Sequence, residues 1–192
     1  MIERLVVASK NPDKISEIEW VLVETGLVAE IVRGLDWPDV EENEVTLEGN
    51  AMLKAVAVVG ATGLPSVADD TGLEVMALDG APGVISARFA GPDATYDENV
   101  HRLLLELDGM TDRRARFRTV MVLARPDGSP LVAEGHVEGV ITQRPRGTRG
   151  FGYDSVFEVD GITFAEMEAS QKNTVSHRAR AIRALADAIR TV

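Results

Sequence analysis

The sequence predicts an α/β protein with a mixed, twisted sheet and flanking helices. Three observations lead to this prediction. An apolar strand pattern at residues 4–9 is followed by an amphipathic helix, two further apolar stretches lie within residues 65–78, and an alternating segment at 115–142 breaks at Pro126-Asp127-Gly128. The break is typical of a hairpin, which adds antiparallel strands to a strand-loop-helix arrangement. The expected sheet is therefore mixed and not strictly parallel.

The helices are predicted from their caps and their apolar spacing. Asn11 is a good N-cap and Pro12 a favoured first residue, so a first helix should start there and end at Gly26. A second helix is expected from about residue 46 to residue 59. Thr95 and Glu98 form a capping-box pattern that predicts a third. The chain ends in an amphipathic helix within residues 174–192.

The remaining strands are predicted from short apolar runs. The segments "PSVADD" and "GLEVMAL" look like two strands around a tight turn, and "SVFEV" looks like a strand that follows the loop "RPRGTRGFG". We see no internal repeat and no long linker. The 192 residues, 45% of them hydrophobic, are enough for one sizeable core, so we expect a single domain over residues 1–192.

Composition excludes several classes of function. The chain has no cysteine, which excludes disulfides, thiolate metal sites and a cysteine nucleophile. No run of about 18 apolar residues and no signal-peptide pattern occurs, so we expect a soluble, cytoplasmic protein without a membrane partner. A net charge of −11 disfavours nucleic acid as a partner. A polyanionic ligand would need a local basic pocket, and the four lysines, Lys10, Lys14, Lys54 and Lys172, each merit attention.

The segment "SKNPDK" is a candidate anion site. A helix N-terminus offers free backbone N–H groups and the positive end of the helix dipole, and Lys10 and Lys14 flank it here. It lacks the glycine pattern of a Walker loop. Taken alone, this stretch is better explained as an ordinary capped helix with solvated lysines.

Two further segments carry side chains suited to a nucleotide. His177 and Arg178 lie in the first turn of the last helix, where cations oppose the dipole, which suggests that an anion or an electron-rich group arrives there. In "GTRGFGYD", Phe151 and Tyr153 offer flat surfaces to a base. The alternatives are a tolerated surface charge in the first case and aromatic rings that fill the core in the second.

Asp69 and Asp70 are the candidate acidic groups. Neighbouring residues of an extended chain point to opposite faces, so one of them could hold Mg²⁺ or activate water while the other fixes a turn. An Asx turn alone would also explain "DDTG". Candidates for a second metal ligand are Glu41, Glu42, Glu44 and Glu48.

Taken together, these motifs resemble the inosine triphosphate pyrophosphatase family. The stretches "SKNPDK", "TLEGNAMLKA", "ADDTGLEV", "PGVISAR", "GFGYD" and "SHR" occur in that family's order and at about its spacing, over nearly the whole chain. The family hydrolyses non-standard purine nucleoside triphosphates. The resemblance implies a two-lobed fold around an active-site cleft, a homodimer, Mg²⁺ dependence, and release of a nucleoside monophosphate and pyrophosphate.

The resemblance also implies roles for individual residues. Asp70 would be the Mg²⁺ ligand and the proton acceptor for the attacking water, and Glu41 would be a further metal ligand. Phe151 to Asp154 would enclose the base and sugar, and His177 with Arg178 would contact the base. Our own hypothesis is that His177 and Arg178 help to set a preference for 6-oxo purines. The residues implied to contact the substrate are Ser9, Lys10, Asn11, Pro12, Asp13, Lys14, Thr71, Phe151, Gly152, Tyr153, Asp154, Lys172, His177 and Arg178.

Two other functions stay open from the sequence. A pyrophosphatase with another base preference would carry the same phosphate machinery. A nucleotide sensor would bind a triphosphate without cleaving it. A nucleic-acid-binding module is disfavoured by the charge of −11.

Overall fold

The computed structural model describes residues 1–191, which contain eight strands and five α-helices. None of these helices is long and apolar enough to cross a membrane. In chain order the elements are β1 (Ile2–Val7), α1 (Pro12–Thr25), β2 (Val28–Val32), α2 (Leu47–Thr62), β3 (Ser66–Val75), β4 (Pro82–Gly83), α3 (Tyr96–Glu106), β5 (Arg114–Ala124), β6 (Leu131–Ile141), β7 (Phe157–Val159), β8 (Ile162–Thr163), α4 (Ala169–Val175) and α5 (His177–Thr191).

The sheet is mixed, as predicted. Its strand order is β2-β1-β3-β5-β6-β7-β8, with β4 paired to β3. Strand β1 runs parallel to both β2 and β3, whereas β4 is antiparallel to β3 and β7 is antiparallel to β6 and β8. The predicted fold class, α/β with a mixed sheet and flanking helices, is confirmed.

The tight turn predicted after Asp69 and Asp70 is wrong. Strand β3 continues without interruption from Ser66 to Val75, so both aspartates lie inside a ten-residue strand. Gly72, which suggested the turn, instead allows β4 to approach β3 closely, because a Cβ there would lie 2.7 Å from the carbonyl oxygen of Gly83 on β4. The alternation of faces along a strand therefore applies directly to the two carboxylates.

The contacts divide the chain into two compact units, each with its own apolar core. The first unit comprises residues 1–70, 119–135 and the C-terminal helix α5, and its core is formed by side chains from β1, α1 and α5 together with Val67, Met121 and Leu123. The second unit comprises residues 71–118 and 136–176, and its core includes Phe157 and Phe164. Strands β3, β5 and β6 each contribute residues to both units.

The predicted helix caps are present. The Asn11 side chain accepts hydrogen bonds from the backbone N–H groups of Asp13 and Lys14, and Gly26 ends α1 in the left-handed conformation that glycine favours. Thr95 and Glu98 form the capping box of α3. The last helical segment differs from the prediction, because Ser176 is extended and separates α4 from α5. Helix α5 therefore begins at His177.

Gly135 on β6 allows that strand to pack against the first turn of α5. A Cβ at this position would lie 2.3 Å from both the carbonyl oxygen of His177 and the backbone nitrogen of Ala181, which belong to the helix backbone and cannot rotate away. We expect Gly135→Ala to lower the free energy of unfolding by about 2–3 kcal/mol through overpacking. Denaturant unfolding followed by circular dichroism measures the change.

Gly60 provides a matched control for this prediction. It lies inside α2, and a Cβ added there would meet nothing within 4 Å, so Gly60→Ala should stabilise the protein by about 0.5–1 kcal/mol through helix propensity alone. Equal effects of the two substitutions would show that close packing against α5 does not explain Gly135.

Candidate active site

Asp69 is buried in a network of charged side chains on one face of β3. Its Oδ2 atom accepts hydrogen bonds from Nε and Nη2 of Arg178, each at 3.1 Å, and lies 3.4 Å from Nζ of Lys14. A second carboxylate, that of Glu17, accepts a hydrogen bond from Nη1 of Arg178. The side chains of Asp69 and Arg178 are 1% and 2% exposed. The Asp69 carboxylate thus interacts with side chains from helices α1 and α5.

Asp70 faces helix α2 instead. Its Oδ1 atom accepts a hydrogen bond from Nζ of Lys54 at 3.2 Å, and its Oδ2 atom accepts one from Nδ2 of Asn50 at 3.3 Å. Asn50 and Lys54 are four residues apart and lie on the same side of α2. The Lys54 ammonium is also 3.3 Å from Oε2 of Glu42, so it bridges two carboxylates. Thr71, the next residue of β3, is partly buried.

The two aspartates have pKa values shifted in opposite directions. Burial is the largest influence on both and would raise the pKa of each carboxyl. For Asp69 the cations Lys14 and Arg178 outweigh burial and hold the pKa well below its usual value. For Asp70 burial prevails over Lys54 and Lys14, so its pKa is raised. The prediction that neighbouring aspartates take different roles therefore has an electrostatic basis.

The predicted anion-binding segment forms the N-terminus of α1. The hydroxyl of Ser9 accepts a hydrogen bond from the backbone N–H of Asn11 at 3.2 Å, and Asn11 caps the helix as described above. Lys10 is exposed and pairs with Asp39 at 2.5 Å. Pro12 and Asp13 occupy the exposed first turn. Lys14 is the residue of this segment that reaches Asp69 on β3.

The loop before β7 is organised around Asp154 in the second unit. The Asp154 carboxylate accepts hydrogen bonds from Nζ of Lys172 and from the backbone N–H of Phe151, the latter at 2.9 Å. The side chains of Lys172 and Asp154 are 6% and 5% exposed. The Lys172 ammonium also lies 4.8 Å from the ring centroid of Phe151, within cation–π range. Gly150 completes the turn at a positive φ of 72°.

The two aromatic rings of this loop have different environments. Tyr153 is buried in the core of the second unit and donates a hydrogen bond to the carbonyl oxygen of Ser86 at 2.9 Å. Phe151 is only partly buried, and its ring centroid lies 5.9 Å from that of Tyr96. Gly152 follows it at a positive φ of 59°. Phe151 is therefore the ring of this loop better placed to meet a ligand.

The site contains donors for a hard divalent cation. Asp70 and Glu42 present carboxylate oxygens on either side of Lys54, and Mg²⁺ typically takes only one or two protein carboxylates together with substrate phosphates and water. Residues 1–191 hold no group of three or more acidic or histidine side chains that would bind a metal unaided. Glu41, the residue that the resemblance indicated, and the neighbouring Glu42 are both exposed, and it is Glu42 that shares Lys54 with Asp70.

Sequence reasoning missed Asn50, Glu17 and the contact of Glu42. A signal existed for the first, because Asn50 and Lys54 have the i, i+4 spacing that places two side chains on one helix face. The scarcity of lysine was a better guide. All four lysines form ion pairs with carboxylates, and three of these carboxylates, those of Asp69, Asp70 and Asp154, are buried.

Comparison with known proteins identifies the chain's relatives. The model of the Ham1 family matches residues 5–188. A dITP/XTP pyrophosphatase from Synechococcus sp. (strain CC9311) is 51% identical over 180 residues, which cover 92% of this chain and 85% of the relative. A dITP/XTP pyrophosphatase from Exiguobacterium sp. is 46% identical over 187 residues, which cover 95% and 94% of the two chains.

Solved structures agree with these sequence matches. The Ham1 protein of Staphylococcus aureus superposes with a TM-score of 0.85 at 38% identity, covering 98% of this chain and 99% of its own. A nucleoside-triphosphatase, also named dITP/XTP pyrophosphatase, from Mycobacterium abscessus superposes with a TM-score of 0.73 at 40% identity, covering 95% and 97%.

The buried Lys172–Asp154 pair is expected to be important for stability. Lys172→Met leaves the Asp154 carboxylate buried without its ammonium partner, so we expect a loss of about 3 kcal/mol in the free energy of unfolding. Adding Asp154→Asn removes the uncompensated charge and should recover part of the loss. Denaturant unfolding of both variants checks this prediction.

Lys10→Met is the control for the buried pair. Lys10 and Asp39 form a pair at the surface, so this variant should unfold at the same denaturant concentration as the wild type. If Lys10→Met and Lys172→Met destabilised the protein equally, burial of the Lys172 pair would not account for its effect.

Proposed function

The chain belongs to the Ham1 family, and from this membership and the site geometry we propose that it hydrolyses non-standard purine nucleoside triphosphates to the nucleoside monophosphate and pyrophosphate. The names of its relatives support dITP and XTP as substrates, and we include ITP because it shares the 6-oxo purine with both. The resemblance to the inosine triphosphate pyrophosphatase family, drawn from the motifs, is confirmed. This hydrolysis would remove non-standard nucleotides from the nucleotide pool.

The observation that carries the proposal is the setting of Asp70. Its two carboxylate oxygens are oriented separately by Lys54 and Asn50, and its pKa is raised by burial. A carboxylate with a raised pKa accepts a proton more readily than an ordinary one. Lys14 contacts the neighbouring carboxylate, that of Asp69, and lies at the capped N-terminus of α1, which is suited to bind phosphate.

These residues supply what hydrolysis at the α-phosphorus requires. A water oxygen forms a bond to the α-phosphorus, the bond from that phosphorus to the bridging oxygen breaks, and pyrophosphate leaves with the bonding electrons. Asp70 takes the proton that the water loses. Lys14 and the positive end of the α1 helix dipole attract the negatively charged phosphates, since phosphoryl transfer depends mostly on positioning and charge stabilisation.

We propose Mg²⁺ as the cofactor, held by Asp70 and Glu42 together with the phosphates of the substrate. When bound, the ion would neutralise negative charge on the phosphates and make the phosphorus a better electrophile. Lys54 lies between the same two carboxylates and neutralises one of their two negative charges. Glu41, one residue away and exposed, is the alternative ligand.

The base and sugar are proposed to lie against the loop that carries Phe151. Its ring is partly exposed, and Asp154 and Lys172 fix the loop's shape. A site with hydrogen-bond donors at the purine 6-position would favour a 6-oxo group over the 6-amino group of adenine, because adenine would leave two donors facing each other. His177, at the start of α5, remains the proposed donor.

Release of pyrophosphate is the direct test of this function. With Mg²⁺ and dITP, XTP or ITP, we expect one pyrophosphate for each monophosphate formed and little hydrolysis of dATP. Chelation of the metal by EDTA should abolish the reaction, and added Mg²⁺ should restore it. Release of single phosphate would contradict the proposed bond cleavage, and binding without hydrolysis would favour a sensor.

Asp70→Asn tests the role of the proposed base. The amide is nearly isosteric but accepts no proton from water, so turnover should fall by roughly 10²- to 10⁴-fold. Isothermal titration calorimetry should still detect binding of inorganic tripolyphosphate, because Lys14 and the N-terminus of α1 are unchanged. Asp127→Asn, in the exposed loop between β5 and β6, is the control and should keep wild-type turnover. Similar turnover for Asp70→Asn and wild type would exclude Asp70 as the base.

A further inference from the structure

The charge network around Asp69 contains one residue that neither the motifs nor the proposed mechanism uses, namely Glu17. It lies on α1, three residues after Lys14 and therefore on the same side of that helix. Its carboxylate accepts a hydrogen bond from Nη1 of Arg178, and its side chain is 14% exposed. Arg178 in turn donates two hydrogen bonds to Oδ2 of Asp69. The order of contacts is thus Lys14, Asp69, Arg178, Glu17, with alternating charge.

The charge of this network depends on Glu17. Two carboxylates and one guanidinium leave one net negative charge, and Lys14 neutralises it at 3.4 Å from Asp69. Without the charge of Glu17, the Asp69–Arg178 pair would carry no net charge, and the electrostatic attraction that holds the Lys14 ammonium beside Asp69 would weaken. Arg178 is 2% exposed and stays protonated, so solvent cannot replace its carboxylate partner.

We infer that Glu17 is a positioning residue for the reaction, which fixes the Lys14 ammonium for the incoming phosphates through the buried Arg178–Asp69 pair. Since Arg178 retains both hydrogen bonds to Asp69, Lys14 can turn toward a phosphate without leaving a buried carboxylate uncompensated. The inference deepens the proposed function and rests on it for the role of Lys14 as a phosphate ligand.

The direction in which Glu17→Gln changes the affinity for a polyanion distinguishes positioning of Lys14 from a general effect of charge. Removal of a negative charge near an anion site would, through the overall field, tighten the binding of a polyanion. Loss of positioning has the opposite effect, and we expect the Kd for inorganic tripolyphosphate to rise about three- to tenfold. Calorimetry with tripolyphosphate measures this change without requiring hydrolysis.

Two comparisons separate positioning from general damage to the fold. If Glu17 acts through Lys14, Glu17→Gln should have no further effect on the Kd in a Lys14→Gln background. Glu19→Gln is the matched control, because Glu19 lies on the same helix at 16% exposure and pairs with Arg33 outside this network. That variant should bind tripolyphosphate as the wild type does.

The outcomes are distinct. Unchanged or tighter binding by Glu17→Gln, or a weakening that persists in the Lys14→Gln background, would overturn the inference. Should Glu17→Gln fail to fold, Glu17→Asp, which keeps the charge but shortens the side chain by one methylene, takes its place in the same cycle with a smaller expected effect. A wild type that binds tripolyphosphate but does not hydrolyse dITP would refute the proposed function and leave the inference standing if the cycle behaves as expected.

Discussion

The burial of two adjacent carboxylates in one strand is the constraint on which the rest of the first unit depends. A buried carboxylate without a partner costs several kcal/mol, and neighbours in a strand point to opposite faces, so each needs hydrogen-bonding partners of its own. Cations must therefore reach β3 from both sides. Arg178 of α5 and Lys14 of α1 meet Asp69, while Lys54 of α2 meets Asp70. The positions of three helices along the strand thus follow from charge as well as from apolar packing.

Much of the fold could be predicted because its signals are local. The ends of α1 are set by Asn11, Pro12 and Gly26, and the start of α3 is set by Thr95 and Glu98. Such caps depend on only a few neighbouring residues. The turn after Asp70 was predicted wrongly because "DDTG" has turn chemistry. Only the approach of β4 to Gly72, a tertiary contact with Gly83 that lies outside the local motif, reveals the continuous strand.

Site residues that lie in recognisable sequence motifs could be predicted. Contacts that depend on tertiary packing were harder to predict. Strand geometry predicts that Asp69 and Asp70 point to opposite faces, and the structure shows that their carboxylates have different hydrogen-bonding partners. Arg178 shows the limit of such reasoning. Its place in the first turn of α5 suggested an exposed cation awaiting a ligand, yet it is buried between Asp69 and Glu17. Only tertiary packing could bring residues 17, 69 and 178 together.

The scarcity of lysine also has a practical consequence for chemical modification. Amine-reactive reagents meet few targets on this chain, since Lys14, Lys54 and Lys172 have side chains only 21%, 13% and 6% exposed and Lys10 is 53% exposed. Coupling through amines would therefore favour Lys10, which lies between β1 and α1. A protein immobilised in this way would be attached mainly through the segment that carries β1 and the start of α1, rather than in random orientations.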